Sequence, residues 1–387
     1  MIIERLKKAR HNFYLQRFRK QEIEENKVLM WADGFKHYGC NPKYIALYLL
    51  EHYPKEFDIV WVFESNIEIP KDLPKQIKVV KYFSIEYLRE ISTAKFIICN
   101  ARMNDYYYFK KRPEQVYIQT WHSSIRLKKI EGDATEGLGE NYVRIAQKDS
   151  KKIDLLISGC DFSTNTFRRA FWYDGEILKS GTPRCDILIN NSREIRKKVF
   201  DYYNIPYEKK LVLYAPTFRK SKKADVYGME FTKLAERMKG FEKREWVFGC
   251  RLHPNIIDGF VDENCISMSK YSDMQELIVA ADILITDYSS CMFDMMLANK
   301  KCVLYTPDLA EYLEKERGLY FDIQKLPFPI AENMESLCDK ILNFDMDEYQ
   351  KKLQQFKDKI GSYEKGTAAK QVADYMLKKK KEGRKIW

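Results

Sequence analysis

Short apolar stretches alternate with helical patterns along most of the chain, and this alternation limits the folds that it can adopt. The segments "KVLMWAD" (27–33) and "FDIVWVFE" (57–64) have the composition of strands. Between them, "NPKYIALYLLEHY" has helical periodicity and is opened by Asn41 and Pro42. Strands that alternate with helices are typical of a parallel sheet covered by helices on both faces. The sequence therefore predicts an α/β fold.

The alternation continues to about residue 185 and restarts at "KKLVLYAPTFR" (209–219). A chain of 387 residues is also long for one hydrophobic core. Both observations predict two doubly wound, Rossmann-like domains facing a cleft. The predicted regions are a basic amphipathic leader, an N-terminal α/β domain, a C-terminal α/β domain and a basic tail: 1–26, 27–190, 191–375 and 376–387.

The cysteines and the N-terminal residues indicate the compartment. The nine cysteines are scattered, with no CxxC spacing, which disfavours a zinc site and a disulfide framework. Charged residues interrupt every apolar stretch near the N-terminus, so no signal peptide is predicted. No apolar run approaches the ~18 residues of a transmembrane helix. We therefore expect the protein to stay on the cytosolic side.

Positive charge is concentrated towards both ends of the sequence. The net charge is +11, and residues 1–20 hold seven Lys or Arg against one acid. On a helix, the apolar residues of this leader are expected to supply part of one face: Ile2, Ile3, Leu6, Phe13 and Leu15. Such a helix can lie on an anionic membrane surface, and a solvated basic helix is the alternative. Nucleic-acid binding is disfavoured, because no RNP, KH, zinc-finger or helix-turn-helix signature accompanies the charge.

Polar clusters follow five of the predicted strands: "TWHSS", "SGTPR", "YAPTFR", "RLHPN" and "TDYSS". In parallel α/β sheets, ligands bind outside the carboxyl ends of the strands, so these clusters are the candidate site. The first cluster contains His122 beside Trp121. A lone histidine beside a tryptophan is more often structural than catalytic, and a catalytic interpretation of His122 depends on the other clusters.

The remaining clusters have residue types suited to a phosphate-rich ligand. Ser289 and Ser290 are predicted at the N-cap and first turn of a helix, where free backbone N–H groups attract phosphate. An ordinary capping serine is the alternative. Further candidates follow two other strands: Thr217, Arg219, Arg251 and His253. The chain lacks both GxGxxG and GxxxxGK[ST], so neither a dinucleotide fingerprint nor a P-loop is predicted.

Taken as an ordered set, the clusters resemble the motifs of one known family. Six segments occur in the order and with the spacing seen in the CDP-glycerol glycerophosphotransferases of teichoic acid synthesis: "TWHSS", "GTPR", "YAPTFR", "HP", "TDYSS" and "DLAEYLEKERGLYFD". The resemblance extends from Lys27 to the helical segment "GTAAKQVADY". It implies a GT-B type fold in which 27–190 is the acceptor side and 191–375 binds the CDP-linked donor.

The resemblance also implies a reaction. Members of the family move glycerol phosphate, or in some branches ribitol phosphate, from a CDP-activated donor to a hydroxyl and release CMP. The acceptor is a lipid-linked, undecaprenyl-type saccharide at the cytoplasmic face of the membrane, so a peripheral membrane protein is expected. CDP-glycerol or CDP-ribitol is a substrate here, and no metal site and no tightly bound cofactor is predicted.

Carried over to this sequence, the resemblance makes His122 the general base that takes the acceptor proton. His253, Ser289 and Ser290 are expected to hold the donor diphosphate. The other residues expected at the donor site are Thr217, Arg219, Arg251 and Asp287. The family commonly has glycine after the histidine, where this chain has Ser123, so the acceptor pocket or the polyol preference is expected to differ.

Several alternatives stay open from the sequence. Two keep the fold and change the donor, to CDP-ribitol or to a nucleotide-sugar. A third is a membrane-surface or nucleic-acid-binding protein whose clusters are only structural. The basic ends support it, but a pure binder does not need a histidine and a serine pair at the strand ends of both domains. The chain length fits a primase that adds one unit at least as well as a polymerase.

Overall fold

The structure is a computed structural model that describes residues 2–103, 109–190, 192–217, 229–252, 263–315 and 318–383. The chain forms two compact units. Unit 1 comprises Met1–Ser123, Glu131–Asp186 and Tyr363–Trp387, and unit 2 comprises Ser124–Ile130 and Ile187–Ser362. The chain passes between the units four times, and the third passage lies within α6 (Asp186–Asn190).

Unit 1 is built on a seven-stranded parallel sheet in the order β3-β2-β1-β4-β5-β6-β7. The strands are β1 (Glu24–Trp31), β2 (Asp58–Phe63), β3 (Lys78–Lys81), β4 (Ala94–Cys99), β5 (Val116–Gln119), β6 (Leu155–Ile157) and β7 (Glu176–Leu178). The helices are α1 (Ile2–Phe18), α2 (Cys40–His52), α3 (Ile85–Thr93), α4 (Glu140–Ser150), α5 (Asp161–Ala170) and α14 (Ala368–Gly383). The central strands are buried along nearly their whole length, as expected for a sheet covered on both faces.

Unit 2 is built on a six-stranded parallel sheet in the order β10-β9-β8-β11-β12-β13. The strands are β8 (Lys210–Ala215), β9 (Trp246–Cys250), β10 (Cys265–Ser267), β11 (Ile283–Thr286), β12 (Lys301–Tyr305) and β13 (Ile330–Ala331). The helices are α7 (Arg193–Tyr202), α8 (Phe231–Arg237), α9 (Met274–Ala280), α10 (Cys291–Leu297), α11 (Leu309–Lys315), α12 (Met334–Leu342) and α13 (Met346–Ile360). The predicted α/β fold with two parallel-sheet domains is confirmed.

The two units differ from the predicted domain boundaries, 27–190 and 191–375, at residues 187–190, which belong to unit 2, and in two longer segments. Residues 124–130 belong to unit 2, where the backbone N–H of Tyr320 donates to the carbonyl of Leu127 at 2.8 Å. Residues 363–383 belong to unit 1, because Val372 and Met376 of α14 are fully buried in its core. Hydrophobic periodicity predicted that α14 is a helix, but periodicity carries no information about which sheet a helix covers.

The leader forms a helix, α1, but two of its apolar residues, Phe13 and Leu15, do not share one face. Leu15 is buried and α1 packs against α3, while the side chain of Phe13 is 60% exposed. Residues two positions apart lie on nearly opposite sides of an α-helix, so the predicted single apolar face is wrong for this pair. His11 stacks on Phe83 at 5.1 Å between ring centroids, which adds to the contact with unit 1.

No helix in the part of the chain that the structure describes is both long enough and apolar enough to cross a bilayer.

Candidate active site

Three neighbouring strands of unit 1 bring polar residues to one edge of the sheet. β1, β4 and β5 are adjacent, and Trp31 pairs with Cys99, which pairs with Gln119, so the three strands end at the same level. The residues that follow these ends are Asp33, Asn100 and His122. The strand-end rule therefore predicted the position of His122 correctly, and the sequence analysis missed Asp33 and Asn100.

The imidazole of His122 is exposed, and its Nδ1 contacts the backbone. Its Nδ1 lies 3.3 Å from the backbone carbonyl oxygen of Asn100. A carbonyl oxygen can only accept a hydrogen bond, so Nδ1 carries the proton in this contact. The neutral ring then has its lone pair on Nε2, which is the nitrogen able to take a proton from a substrate hydroxyl. This geometry suits a general base.

The loop that carries His122 has a strained backbone. Trp121 has φ 51°, in the left-handed region that side chains other than glycine rarely occupy. The amide of Asn41 donates from Nδ2 to the carbonyl oxygens of Thr120 and Trp121, at 3.2 and 2.9 Å. The backbone N–H of Trp121 donates to Oε1 of Gln119 at 2.9 Å. These buried hydrogen bonds fix the loop in a conformation that is otherwise unfavourable.

Asn41 also joins this loop to the "GTPR" segment, since its Oδ1 accepts from the backbone N–H of Arg184 at 2.9 Å. The sequence predicted Asn41 as the residue that opens a helix. The structure starts α2 at Cys40, gives the N-cap position to Gly39 and buries Asn41 completely. A fully buried asparagine whose oxygen and nitrogen both have partners is a positioning residue for the loop. Its signal in the sequence is indistinguishable from ordinary capping.

A buried charged cluster lies beneath the same loop. The guanidinium of Arg102 contacts Glu131 at 3.2 Å and Asp149 at 3.6 Å, and all three side chains are almost fully buried. Burial raises the pKa of Asp149, and Arg102 opposes that shift. Arg102 lies over the ring of Phe171, which packs edge-on against Trp121 at 4.7 Å between centroids. The cluster therefore supports the ring that His122 packs against at 4.3 Å.

Carboxylates attach the "GTPR" segment to the C-terminal part of unit 1. The backbone N–H and the hydroxyl of Thr182 donate to Glu364, at 3.0 and 2.6 Å. Asp186 accepts hydrogen bonds from the first two backbone N–H groups of α14, those of Ala368 and Ala369, at 2.9 and 2.8 Å. Burial raises the pKa of Asp186 to about 6 against the lowering effect of these bonds. Glu364 and Asp186 therefore fix the "GTPR" segment and also hold α14 against unit 1.

The residues that follow three neighbouring strands of unit 2 form a second candidate site. β9, β8 and β11 are adjacent, and their ends carry five residues of the predicted donor site. The structure brings these residues to one edge of the unit 2 sheet: Thr217, Arg251, Asp287, Ser289 and Ser290. Two other predicted donor-site residues, Arg219 and His253, lie outside the described residues.

Asp287 links two of these strand ends. Its carboxylate accepts from the backbone N–H of Thr217 at 2.9 Å, from the Thr217 hydroxyl at 2.5 Å and from the backbone N–H of Tyr288 at 2.6 Å. The carboxylate is nearly buried. Asp287 and Thr217 were predicted to contact the donor, and the structure gives both a clear role in holding β8 and β11 together at the site.

The two serines and Arg251 lie around the start of α10. Ser290 is at the N-cap position, but its side chain makes no capping hydrogen bond, whereas Ser289 Oγ accepts weakly from the backbone N–H of Cys291 at 3.4 Å. Arg251 donates from its guanidinium to the carbonyl of Tyr271 at 2.8 Å. Burial lowers the pKa of Arg251, and Asp273 is the main charge that opposes this. Both serine side chains are partly exposed, as a phosphate contact requires.

Among the residues that the structure describes, no group of three or more carboxylate, imidazole and thiol side chains could hold a metal ion.

The fold and the two strand-end sites define an α/β protein of transferase type, with a histidine that is a candidate base in one unit and residues suited to phosphate in the other. Residues 13–378 match the family described as CDP-Glycerol:Poly(glycerophosphate) glycerophosphotransferase. The chain belongs to this family, and the resemblance drawn from its motifs is confirmed.

Similar proteins include two curated staphylococcal enzymes. The teichoic acid poly(glycerol phosphate) polymerase of Staphylococcus epidermidis is 31% identical over 98% of this chain and 54% of its own length. This chain thus spans about half of that relative. The teichoic acid glycerol-phosphate transferase of Staphylococcus aureus is also 31% identical, over 98% of this chain and 100% of its own length.

Solved structures of the wall teichoic acid polymerase TagF are similar over the whole chain. One histidine variant of TagF has a TM-score of 0.84 at 29% identity and covers 98% of this chain and 97% of its own. A second histidine variant, soaked with CDPG, has a TM-score of 0.82 at 30% identity and covers 99% of both chains.

Proposed function

We propose that this chain transfers glycerol phosphate from CDP-glycerol to a hydroxyl of an acceptor and releases CMP. The observation that carries the proposal is the hydrogen bond between His122 Nδ1 and the Asn100 carbonyl, which leaves Nε2 as the basic nitrogen of an exposed imidazole. Membership of the glycerophosphotransferase family supports the donor. The names of the similar staphylococcal proteins support glycerol as the polyol.

In the proposed reaction, Nε2 of His122 takes the proton of the acceptor hydroxyl as its oxygen attacks the β-phosphorus of the donor. A new P–O bond forms to the acceptor, and the bond between the β-phosphorus and the bridging oxygen breaks. The bridging oxygen leaves with the bonding electrons as part of CMP, and His122 returns its proton to solvent. The products are CMP and an acceptor extended by one glycerol phosphate unit.

The donor diphosphate is assigned to the strand ends of unit 2. Ser289 and Ser290 supply hydroxyl donors, and Arg251 supplies positive charge beside the start of α10. His253 and Arg219 are assigned to the same diphosphate on the resemblance alone. Such groups stabilise the charge that develops on the phosphoryl oxygens and on CMP, which is the main catalytic contribution in phosphoryl transfer.

The proposed acceptor is a lipid-linked, undecaprenyl-type saccharide, and the proposed location is the cytoplasmic face of the membrane, with peripheral attachment. The exposed Phe13 and the basic residues of α1 support contact with an anionic leaflet. Removal of residues 1–20 should then weaken binding to anionic vesicles in a salt-sensitive way. Turnover on a soluble acceptor should survive the deletion, because the leader takes no part in the chemistry.

The test of the function is release of CMP from CDP-glycerol and, separately, from CDP-ribitol in the presence of a membrane acceptor extract. Wild type should release CMP with CDP-glycerol, and His122→Ala should lower the rate by roughly 10³-fold, in the range of general-base loss. His52→Ala, an exposed histidine at the far end of α2, is the matched control and should keep the wild-type rate.

Three outcomes would overturn parts of this proposal. No release with either donor in a competent extract would exclude the CDP-polyol donor, and nucleotide-sugars would be screened next. Release with CDP-ribitol alone would show that the transferred group is ribitol phosphate and not glycerol phosphate. Equal release by wild type and His122→Ala would remove His122 as the base.

A further inference from the structure

The backbone carbonyl that accepts from His122 belongs to a residue whose own side chain is buried. Asn100 lies directly after β4 and is completely buried, whereas the imidazole of His122 is exposed. A neutral imidazole carries its proton on one of two nitrogens, and the hydrogen bond that one of them makes decides which nitrogen that is. The position of the Asn100 carbonyl therefore decides which nitrogen of His122 is basic.

The side chain of Asn100 is bonded in both directions to Asp33. The backbone N–H of Asp33 donates to Asn100 Oδ1 at 2.8 Å, and Asn100 Nδ2 donates back to Asp33 Oδ1 at 2.8 Å. A backbone N–H can only donate, which fixes the orientation of the amide. Asp33 follows β1, the neighbour of β4, so the two bonds hold residue 100 against the end of β1.

The carbonyl groups on either side of Asn100 are fixed to the end of β5. The Cys99 carbonyl accepts from the backbone N–H of Thr120 at 2.9 Å and from its hydroxyl at 3.1 Å. The Ala101 carbonyl accepts from Nε2 of Gln119, a completely buried amide, at 2.9 Å. The Asn100 peptide is thus held by β5 on both sides and by Asp33 through its own side chain.

An asparagine meets the requirements of this position. Its planar amide carries one acceptor and one donor group, which serve the backbone N–H and the carboxylate of Asp33 at the same time. An aspartate would keep the acceptor and place a second carboxylate against the first, and a leucine would make neither bond.

We propose that Asn100 is a positioning residue of the reaction, whose amide is held by Asp33 and whose carbonyl fixes the tautomer of His122. This inference rests on the proposed function, in which Nε2 of His122 is the base. Because Asn100 is completely buried, a substrate meets the imidazole and not the amide, and the effect of Asn100 passes through His122. When the amide is removed, the carbonyl shifts and the imidazole populates both tautomers. A neutral ring with its proton on Nε2 cannot take the proton of a hydroxyl at that nitrogen.

The first test is the tautomer of His122, read from the nitrogen NMR signals of the imidazole in protein labelled at its histidine nitrogens, without substrate. At about pH 8.5, well above the ordinary histidine pKa of ~6.5, neutral rings are observed. Wild type should carry the proton on Nδ1, and Asn100→Ala should show both tautomers. The signals of His122 are assigned from their loss in His122→Ala.

The second test is turnover with CDP-glycerol and the membrane acceptor extract. Asn100→Ala should lower kcat on the order of 10²-fold, the effect expected when a reacting group is displaced by about 1 Å. KM for CDP-glycerol should stay within about twofold of wild type, because the residues assigned to the donor lie in unit 2 and only a transition-state contact is lost.

Gln115→Ala is the matched control for lost stability. Gln115 is also a buried amide of unit 1, and it lies just before β5, at the end of the strand away from the candidate site. It donates to the carbonyls of Ile91 and Ala94 at 2.8 and 2.9 Å and accepts from the backbone N–H of Arg112 at 3.0 Å. Gln115→Ala should lower the urea midpoint as much as Asn100→Ala does and should change neither kcat nor the tautomer.

Asp33→Gly tests the other partner of the pair. Asp33 has φ 48°, which glycine adopts freely, so the substitution removes the carboxylate without adding strain. The backbone N–H still donates to Asn100, and kcat should fall by less than in Asn100→Ala. The double variant should be no slower than Asn100→Ala, because Asp33 acts through Asn100. A markedly slower double variant would overturn that link.

Failure of the inference and failure of the function look different. An Asn100→Ala protein with the wild-type tautomer, or with a loss of kcat that Gln115→Ala shares, would overturn the role of Asn100. Should Asn100→Ala not fold, Asp33→Gly decides, since its side chain is 46% exposed in wild type, and an unchanged tautomer and kcat would overturn the role. If wild type releases no CMP, the proposed function fails, and the tautomer in the variants still decides whether Asn100 positions His122.

Discussion

The strand ends of unit 1 and unit 2 use their polar side chains in different ways. In unit 1 the candidate base is His122, and a different residue, Asn41, fixes the loop around it. In unit 2 a single residue, Asp287, is both a candidate site residue and the link between β8 and β11. A site that separates the reacting group from its support can lose activity without losing stability. A site in which one residue has both roles loses stability whenever that residue is changed.

The largest effect on the unit 1 side is expected from Asn41→Ala. The variant removes the hydrogen bonds of Asn41 to the Thr120 and Trp121 carbonyls and to the backbone N–H of Arg184, and of these groups the Trp121 carbonyl keeps the Thr120 hydroxyl as a donor; the loss should cost about 3 kcal/mol of unfolding free energy. Turnover should fall as well, since the strained loop is released. Urea unfolding followed by circular dichroism measures the first quantity, and CMP release measures the second.

Asn66→Ala, at an exposed loop position of the same unit, is the control and should change neither quantity. An Asn41→Ala protein with wild-type stability would show that the loop has another support, and the comparison between the units would lose its basis.

The stability of unit 1 should depend on pH through Asp186. The carboxylate of Asp186 supports unit 1 and takes no part in the proposed reaction. The folded pKa of about 6 is raised above the value of ~3.9 of an unfolded aspartate. A raised pKa means that the contribution of Asp186 is fully present below pH ~4 and is lost as pH rises through about 6, a change of at most about 3 kcal/mol.

The expected result is that the stability advantage of wild type over Asp186→Asn shrinks between pH 4 and pH 7. Parallel urea titrations across that range would measure it. An advantage that stays constant with pH, or that grows as pH rises, would contradict the raised pKa.

Asp287→Asn tests whether Asp287 of unit 2 is both a residue of the site and the link between β8 and β11. The asparagine keeps one acceptor oxygen and loses the other, so unfolding free energy should fall by about 1–2 kcal/mol. KM for CDP-glycerol should rise in the same variant, because Thr217 and the start of α10 lose their alignment. Asp201→Asn removes an exposed ion pair on α7 and should have little effect on either quantity. A stability loss without any change in KM would separate the two roles that we combine in Asp287.

The smallest effect on stability is expected from Ser290→Ala. Its side chain makes no capping hydrogen bond, so the change in unfolding free energy should stay below about 0.5 kcal/mol, while KM for CDP-glycerol rises severalfold. Ser336→Ala should have the opposite effects, because Ser336 completes a capping box at α12. The substitution should lower the unfolding free energy by about 1 kcal/mol and leave KM unchanged. If Ser290→Ala destabilises the protein as much as Ser336→Ala does, Ser290 is a structural cap.

Most of the fold could be predicted from sequence because it depends on local periodicity. The strands and helices of both sheets follow from apolar runs and 3.6-residue patterns, and the strand-end rule then selected His122, Thr217, Ser289 and Ser290. The face of α1 was predicted wrongly, because Phe13 and Leu15 are both apolar and only packing against α3 decides which of them is buried.

The residues that the sequence did not reveal depend on contacts between distant parts of the chain. Asn41 bonds to residues 79, 80 and 143 positions away, and Asp33 bonds to Asn100 across 67 positions. Nothing in the local pattern around an asparagine or an aspartate distinguishes such a role from helix capping or a turn.

The docking of α14 into unit 1 has a consequence for synthesis on the ribosome. Asp186 bonds to backbone groups 182 and 183 residues later, and Val372 and Met376 fill the core beneath α2. Every residue of unit 2 is therefore translated before unit 1 has its last core helix. All seven strands of the first sheet emerge before the strands of the second, but the first sheet lacks one of its covering helices until unit 2 has emerged in full, and a nascent chain stalled before residue 363 would expose the apolar surface that α14 covers.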